Sequence, residues 1–81
     1  MSKVLVVEDS VPQREMISEL LSNSGLTVAV ATDGVEAIEQ LHIIQPDIVV
    51  LDIVMPRMNG YEVCRQIKSD PKTSHVPVVI C

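Results

Sequence analysis

Val4-Leu5-Val6-Val7-Glu8-Asp9 is an uninterrupted aliphatic run that ends on two acids, and Ile48-Val49-Val50-Leu51-Asp52 repeats the pattern with one. A short run of this kind, bounded by polar residues, reads as a strand buried on both faces, the type found in parallel sheets. Open α/β sheets bind ligands in the crevice beyond the carboxyl ends of their strands. If the two strands are neighbours, Glu8, Asp9 and Asp52 converge on one small site. Negative charges that close raise one another's pKa or require a cation. For an all-oxygen site the fitting cation is Mg²⁺, which accepts one or two protein carboxylates and keeps several waters.

Outward from these runs the chain alternates regularly. Ser10 is placed to cap a helix, with Pro12 in its first turn and Gln13 in capping-box position. Met16, Ile17, Leu20 and Leu21 form a helical stripe expected to be core, and Gly25 sits where a left-handed residue ends a helix. Leu26–Ala31 reads as a second strand. Asp33 and Glu36 repeat the capping logic for a second helix, whose buried face is expected at Val35, Ile38, Leu41 and Ile44, with Pro46 ending it. The third strand is expected over Ile48–Ile53. Met55-Pro56-Arg57-Met58-Asn59-Gly60 is a loop by its Pro and Asn-Gly content, with Gly60 shaping it. A third helix over Tyr61–Lys68 should bury Val63, Cys64 and Ile67. Residues 69–75 are a polar connector, and Val76–Cys81 is a fourth strand. The order βαβαβαβ implies one doubly wound parallel α/β sheet.

Size and composition limit the function. The chain has 81 residues, room for one small domain, and Tyr61 is its only aromatic, so the core must be aliphatic. The net charge of −5 and the absence of a Lys/Arg cluster exclude direct nucleic-acid binding by phosphate neutralisation. No segment reads as a signal-peptide core or a membrane span, so a cytoplasmic location is expected. Cys64 and Cys81 make neither a disulfide framework nor a metal spacing and read as small core hydrophobes. His42 and His75 have no partner at metal-ligand spacing and are expected to be solvated or cap-like. Arg57, Lys68 and Lys72 read as scattered surface charges.

The motifs Val-Val-Glu-Asp-Ser (6–10), Asp-Gly-Val-Glu-Ala (33–37), Pro-Asp-Ile-Val-Val-Leu-Asp (46–52) and Met-Pro-Arg-Met-Asn-Gly (55–60), in this order, resemble the receiver domain of bacterial two-component response regulators. The resemblance covers Lys3 to Cys81 and implies a flavodoxin-like sheet of order 2-1-3-4-5. It implies that Asp52 is a phosphoacceptor that attacks a phosphohistidine on a histidine kinase or phosphotransfer protein, switching the parent protein's output. Asp9 then resembles the direct Mg²⁺ ligand, with Glu8 assisting through water. Val54 would lend its backbone carbonyl to the metal, its side chain lying over the phosphate and tuning the lifetime of the acyl phosphate. A carboxylate attacks an anionic phosphoryl group poorly unless a metal neutralises charge and fixes an in-line geometry.

The family places a Ser or Thr directly after the fourth strand and a Lys at the end of a fifth. Cys81 falls just short of that hydroxyl, so residues 1–81 read as the N-terminal part of a receiver, incomplete after the fourth strand. Labelling of Asp52 in this chain alone is expected to be slow or absent. Val76–Cys81, interior in the inherited order, is expected to form an uncharged edge that invites self-association. An alternative is therefore a fragment that serves only in protein contacts or dimerisation. A phosphatase of the haloacid-dehalogenase type would need an acid at position 54, where Val54 transfers no proton. A flavodoxin-like nucleotide binder would want amides, and not Glu8-Asp9, after the first strand.

Overall fold

The expected alternation of strands and helices is present in a computed structural model, which describes residues 2–52 and 59–80. The elements are β1 (Lys3–Val7), α1 (Val11–Asn23), β2 (Thr27–Ala31), α2 (Gly34–Ile44), β3 (Ile48–Leu51), α3 (Gly60–Ser69) and β4 (Val78–Ile80). All strand pairs are parallel, in the spatial order β2-β1-β3-β4. This is a flavodoxin-like α/β sheet, and β1 and β3 are direct neighbours.

The two faces of the sheet are covered unequally. Side chains alternate along a strand, and Leu5, Val7, Ala31, Val49 and Leu51 join Ala37 and Leu41 of α2 and Val63 and Ile67 of α3 in one buried cluster. Burying each Leu, Ile or Val there contributes about 1.5–3 kcal/mol. Val4 and Val6 point the other way and are also fully buried. On that face α1 packs against β1 and β2. β1 is thus buried on both faces as expected. β3 is not: Ile48 and Val50 are only half-buried, and Val79 of β4 is 47% exposed. The reason is coverage, because α1 does not extend over β3 and β4 in the way α2 and α3 extend over the opposite face.

Several expectations about the helices need correction. Of the expected α1 stripe only Ile17 and Leu21 are half-buried, while Met16 and Leu20 are 57% and 63% exposed, so the stripe is half core. A residue one position away on a helix is rotated by about 100°, which carries Met16 and Leu20 off the sheet. On α2 the buried line is Gly34, Ala37 and Leu41, with Ile38 packed beside it, and Val35 is 58% exposed. Ile44 is half-buried. Small residues at 34 and 37 let α2 approach the sheet closely, and that rotates Val35 outward. Ser18 Oγ on α1 is buried with no hydrogen-bond partner among the described residues.

The helix ends follow the sequence more closely. Gly25 has φ +89°, and the bonds Gly25 N–H to Ser22 O and Leu26 N–H to Leu21 O complete a Schellman motif. Asp33 Oδ1 accepts from the Glu36 N–H at 2.9 Å. Asn59, expected only as loop, caps α3 by accepting from the Glu62 N–H at 2.9 Å, so α3 starts at Gly60. Ser10 is the N-cap of α1 but its side chain makes no capping bond. Gln45 ends α2 in the left-handed region at φ 54°. The following Pro46 disfavours the right-handed helical conformation at residue 45.

The connector after α3 is more structured than its polarity suggests. Thr73 is buried and donates to Ile67 O at 2.7 Å, and Lys68 Nζ donates to the carbonyls of Ser74 and Val76. Pro77 delays β4 to Val78, so the fourth strand is shorter than Val76–Cys81; Ile53 and Cys81 lie outside the described residues. His42 is exposed but partnered: Nδ1 lies 2.9 Å from Ile38 O and Nε2 lies 3.1 Å from Asp70 Oδ2. Both partners can accept a hydrogen bond, so the two contacts together favour the imidazolium, which has a donor on each ring nitrogen.

Two predictions follow from these contacts. The Ile38 carbonyl and the Asp70 carboxylate raise the His42 pKa above its ordinary 6.5, with Lys72 opposing. The Asp70 pKa is lowered from 3.8 by the Lys72 N–H and by His42. The histidine's contribution is therefore fully present below pH 6.5 and is lost as pH rises through the raised value; the aspartate's is present above 3.8 and is lost as pH falls through the lowered one. Imidazole NMR titration should show His42 high in the wild type and lower in Asp70→Asn; an unchanged midpoint would refute the clasp. Ser18→Ala should stabilise the fold by about 1 kcal/mol in urea unfolding, because it removes an unsatisfied buried hydroxyl and favours helix.

Candidate functional site

The site is built by strand pairing. β1 and β3 run parallel with Val7 opposite Leu51, so the next residues, Glu8 and Asp52, leave the sheet side by side. Two backbone bonds extend the ladder past the strand ends: the Asp52 N–H donates to Val7 O at 3.1 Å, and the Glu8 N–H to Ala31 O at 3.0 Å. Glu8, Asp9 and Asp52 each offer a carboxylate oxygen, and these oxygens lie within 4.8 Å of one another. The convergence expected from the two aliphatic runs is therefore present.

The three acids differ in environment. Glu8 is 4% exposed, Asp52 is half-buried and Asp9 is exposed. The Glu8 pKa is raised above 4.5, chiefly by burial and further by Asp52 and Asp9. Among the described residues only the Ser10 N–H, which donates to Glu8 Oε1 at 3.1 Å, acts in the opposite sense. Among the described residues, none of the groups acting on this carboxyl is a cation. A buried acid held against two other acids fits an all-oxygen Mg²⁺ site: a hard divalent ion would relieve both the repulsion and the desolvation. Val54 and the loop residues 55–58 lie outside the described residues.

Arg14 was not singled out by the sequence. From the first turns of α1 its Nη1 donates to the Glu8 main-chain oxygen at 3.1 Å. Nothing in the spacing between positions 8 and 14 signals this contact, because it depends on the turn between β1 and α1.

The family model for the response regulator receiver domain matches residues 4–81. Among curated relatives, the response regulator MprA of Mycobacterium ulcerans (strain Agy99) is 49% identical over 67 residues, covering 83% of this chain and 29% of that protein. The probable transcriptional regulator ycf27 of Guillardia theta is 42% identical over 78 residues, covering 96% of this chain and 30% of that protein. The chain thus spans less than a third of the length of these relatives. Among solved structures, the N-terminal domain of a response regulator receiver protein from Methanoculleus marisnigri JR1 superposes with a TM-score of 0.96 at 36% identity, covering 99% of this chain and 65% of that one. The chemotaxis protein CheY4 of Vibrio cholerae gives 0.94 at 32% identity, with coverages of 99% and 67%.

The electrostatics can be checked without metal. Carboxyl-carbon NMR should place the Glu8 midpoint above 4.5, and Asp52→Asn should lower it without restoring it fully, since burial remains the largest cause. With a raised pKa, the stability Glu8 contributes is present below 4.5 and declines as pH rises through the raised value. Asp52→Asn should therefore stabilise the metal-free protein at neutral pH by roughly 1 kcal/mol, the scale of one screened repulsion at this separation. A Glu8 midpoint that ignores Asp52→Asn would mean the carboxylates do not converge in solution.

Proposed function

Because this chain belongs to the response regulator receiver domain family, we propose that Asp52 accepts a phosphoryl group from a phosphohistidine on a partner histidine kinase or phosphotransfer protein. The observation that carries this reading is the meeting of Glu8, Asp9 and Asp52 within 4.8 Å at the carboxyl ends of adjacent parallel strands. Receiver domains are signalling modules, and the proposed role is that of a phosphorylated switch within a longer protein.

Asp52 is suited to the nucleophile's part. It is half-buried, and its own N–H is tied to Val7 O, which fixes where its side chain starts. A carboxylate oxygen of Asp52 forms the new bond to phosphorus as the phosphorus–nitrogen bond breaks; the imidazole leaves with that electron pair and takes a proton. Asp9 and Glu8 would hold Mg²⁺, Glu8 through water, with the Val54 carbonyl as a further ligand. Bound Mg²⁺ supplies charge neutralisation between the acids and the incoming phosphoryl oxygens. Because the Glu8 pKa is raised, protons compete with the metal, and affinity should fall as pH falls toward the Glu8 value.

A second reading, contact without phosphotransfer, is favoured by the exposure of Val79 and Ile80 on β4, the outer strand of the described sheet. A strand edge without charge can pair with another chain. Sedimentation of the full-length parent protein at several concentrations, with and without acetyl phosphate, separates the readings: a monomer that takes up phosphate excludes the second, and a dimer that never does so excludes the first.

In the full-length parent protein, acetyl phosphate with Mg²⁺ should add one phosphoryl group at Asp52, and Asp52→Asn should abolish it, because an amide lacks the attacking anionic oxygen; residues 1–81 alone should label slowly or not at all. Intact mass and peptide mapping decide. Equal labelling of the variant would overturn the assignment. Mg²⁺ titration should perturb the amides of residues 8–10 and 52 before others.

A further inference from the structure

We infer that Arg14 is a positioning residue for the acidic site: its guanidinium holds the Glu8–Asp9 peptide in the orientation that presents both carboxylates to one cation. The inference rests on reading Glu8, Asp9 and Asp52 as a Mg²⁺ site.

Three hydrogen-bonding groups of Glu8 are engaged from three directions. Its N–H is bound by β2 at Ala31 O, its Oε1 by the Ser10 N–H, and its main-chain oxygen by Arg14 Nη1 at 3.1 Å. The strand ladder sets the first and the local turn sets the second. The Glu8 carbonyl lies past the last strand residue, Val7, and Arg14 reaches it from the helix. The peptide unit is planar, so holding the Glu8 oxygen also fixes the Asp9 N–H and the position of the Asp9 α-carbon. Asp9 is exposed and lies between the strand and the helix, so this plane is what sets its direction.

A second observation points the same way. Ser10 is the N-cap of α1 but its side chain makes no capping bond, so the usual brace at this junction is missing. Arg14 supplies one in its place. Its backbone N–H donates to Ser10 O at 2.9 Å while its side chain holds Glu8 O, so one half-buried residue spans the whole turn from Glu8 to Ser10. The planar guanidinium is suited to this, since it can direct a donor at a carbonyl with few alternative geometries.

The sign of the effect on metal binding separates positioning from charge. By Coulomb's law alone, removing a cation near a cation site tightens Mg²⁺ binding. Loss of a group that orients ligands weakens it, commonly by tenfold or more. The test uses the full chain with Arg14→Ala and Arg14→Lys. It measures Mg²⁺ affinity by amide-shift titration, the Asp9 and Ser10 N–H residual dipolar couplings without metal, and thermal unfolding. The expected result is roughly tenfold weaker Mg²⁺ binding in Arg14→Ala, changed Asp9 coupling without metal, and partial recovery of both in Arg14→Lys. Unchanged or tighter Mg²⁺ binding in a folded Arg14→Ala overturns the inference, as does an unchanged Asp9 coupling. If Arg14→Ala does not fold, Arg14→Lys carries the same comparison, with wild-type affinity and coupling together overturning it. If the wild type binds no Mg²⁺, the metal reading fails, and the metal-free Asp9 coupling alone decides whether Arg14 sets the peptide.

Discussion

The parallel pairing of β1 with β3, in the register that sets Val7 opposite Leu51, is the constraint on which the rest depends. A slip of one residue in a strand moves every side chain to the other face. Here it would lift Leu5 and Val7, or Val49 and Leu51, out of the cluster they form with α2 and α3. The apolar packing therefore enforces the register, and the register brings Glu8 and Asp52 to the same edge. The site inherits its precision from the core beneath it.

That arrangement sets stability against function. Burial and two neighbouring acids all disfavour the charged form of Glu8, and among the described residues only the Ser10 N–H opposes them. Strand pairing, α2 and α3 hold the acids together against this repulsion. The result is a cluster of three acids whose unfavourable electrostatics are supplied by folding in advance, as the proposed cation site would require.

The two sides of the sheet are asymmetric in a way that bears on partners. α2 and α3 close one face, joined across the connector by His42 and Asp70, with Thr73 and Lys68 tying that connector to the end of α3. On the other face α1 covers β1 and β2 with half-buried residues only, leaving Met16 and Leu20 exposed. Val79 and Ile80 are exposed along β4, Val35, Ile43 and Tyr61 are exposed on α2 and α3, and the acidic site lies at the strands' carboxyl end.

The sequence by itself determined the features that need only near neighbours. The two aliphatic runs mark strands, Asp33 caps α2 and Gly25 closes α1, because β-propensity, capping and left-handed turns are settled within a few residues. The acids at 8, 9 and 52 were legible as candidates because each directly follows a strand. Tertiary structure alone decided that β1 and β3 are adjacent, which turns three separate acids into one site. It also decided that Ala37 and not Val35 faces the sheet, that Thr73 is buried within a polar connector, that His42 meets Asp70 and that Arg14 holds the Glu8 carbonyl. Each depends on how closely one element approaches another, or on how a turn aims a long side chain. Distance through space is set by packing the whole core, and no local periodicity carries it.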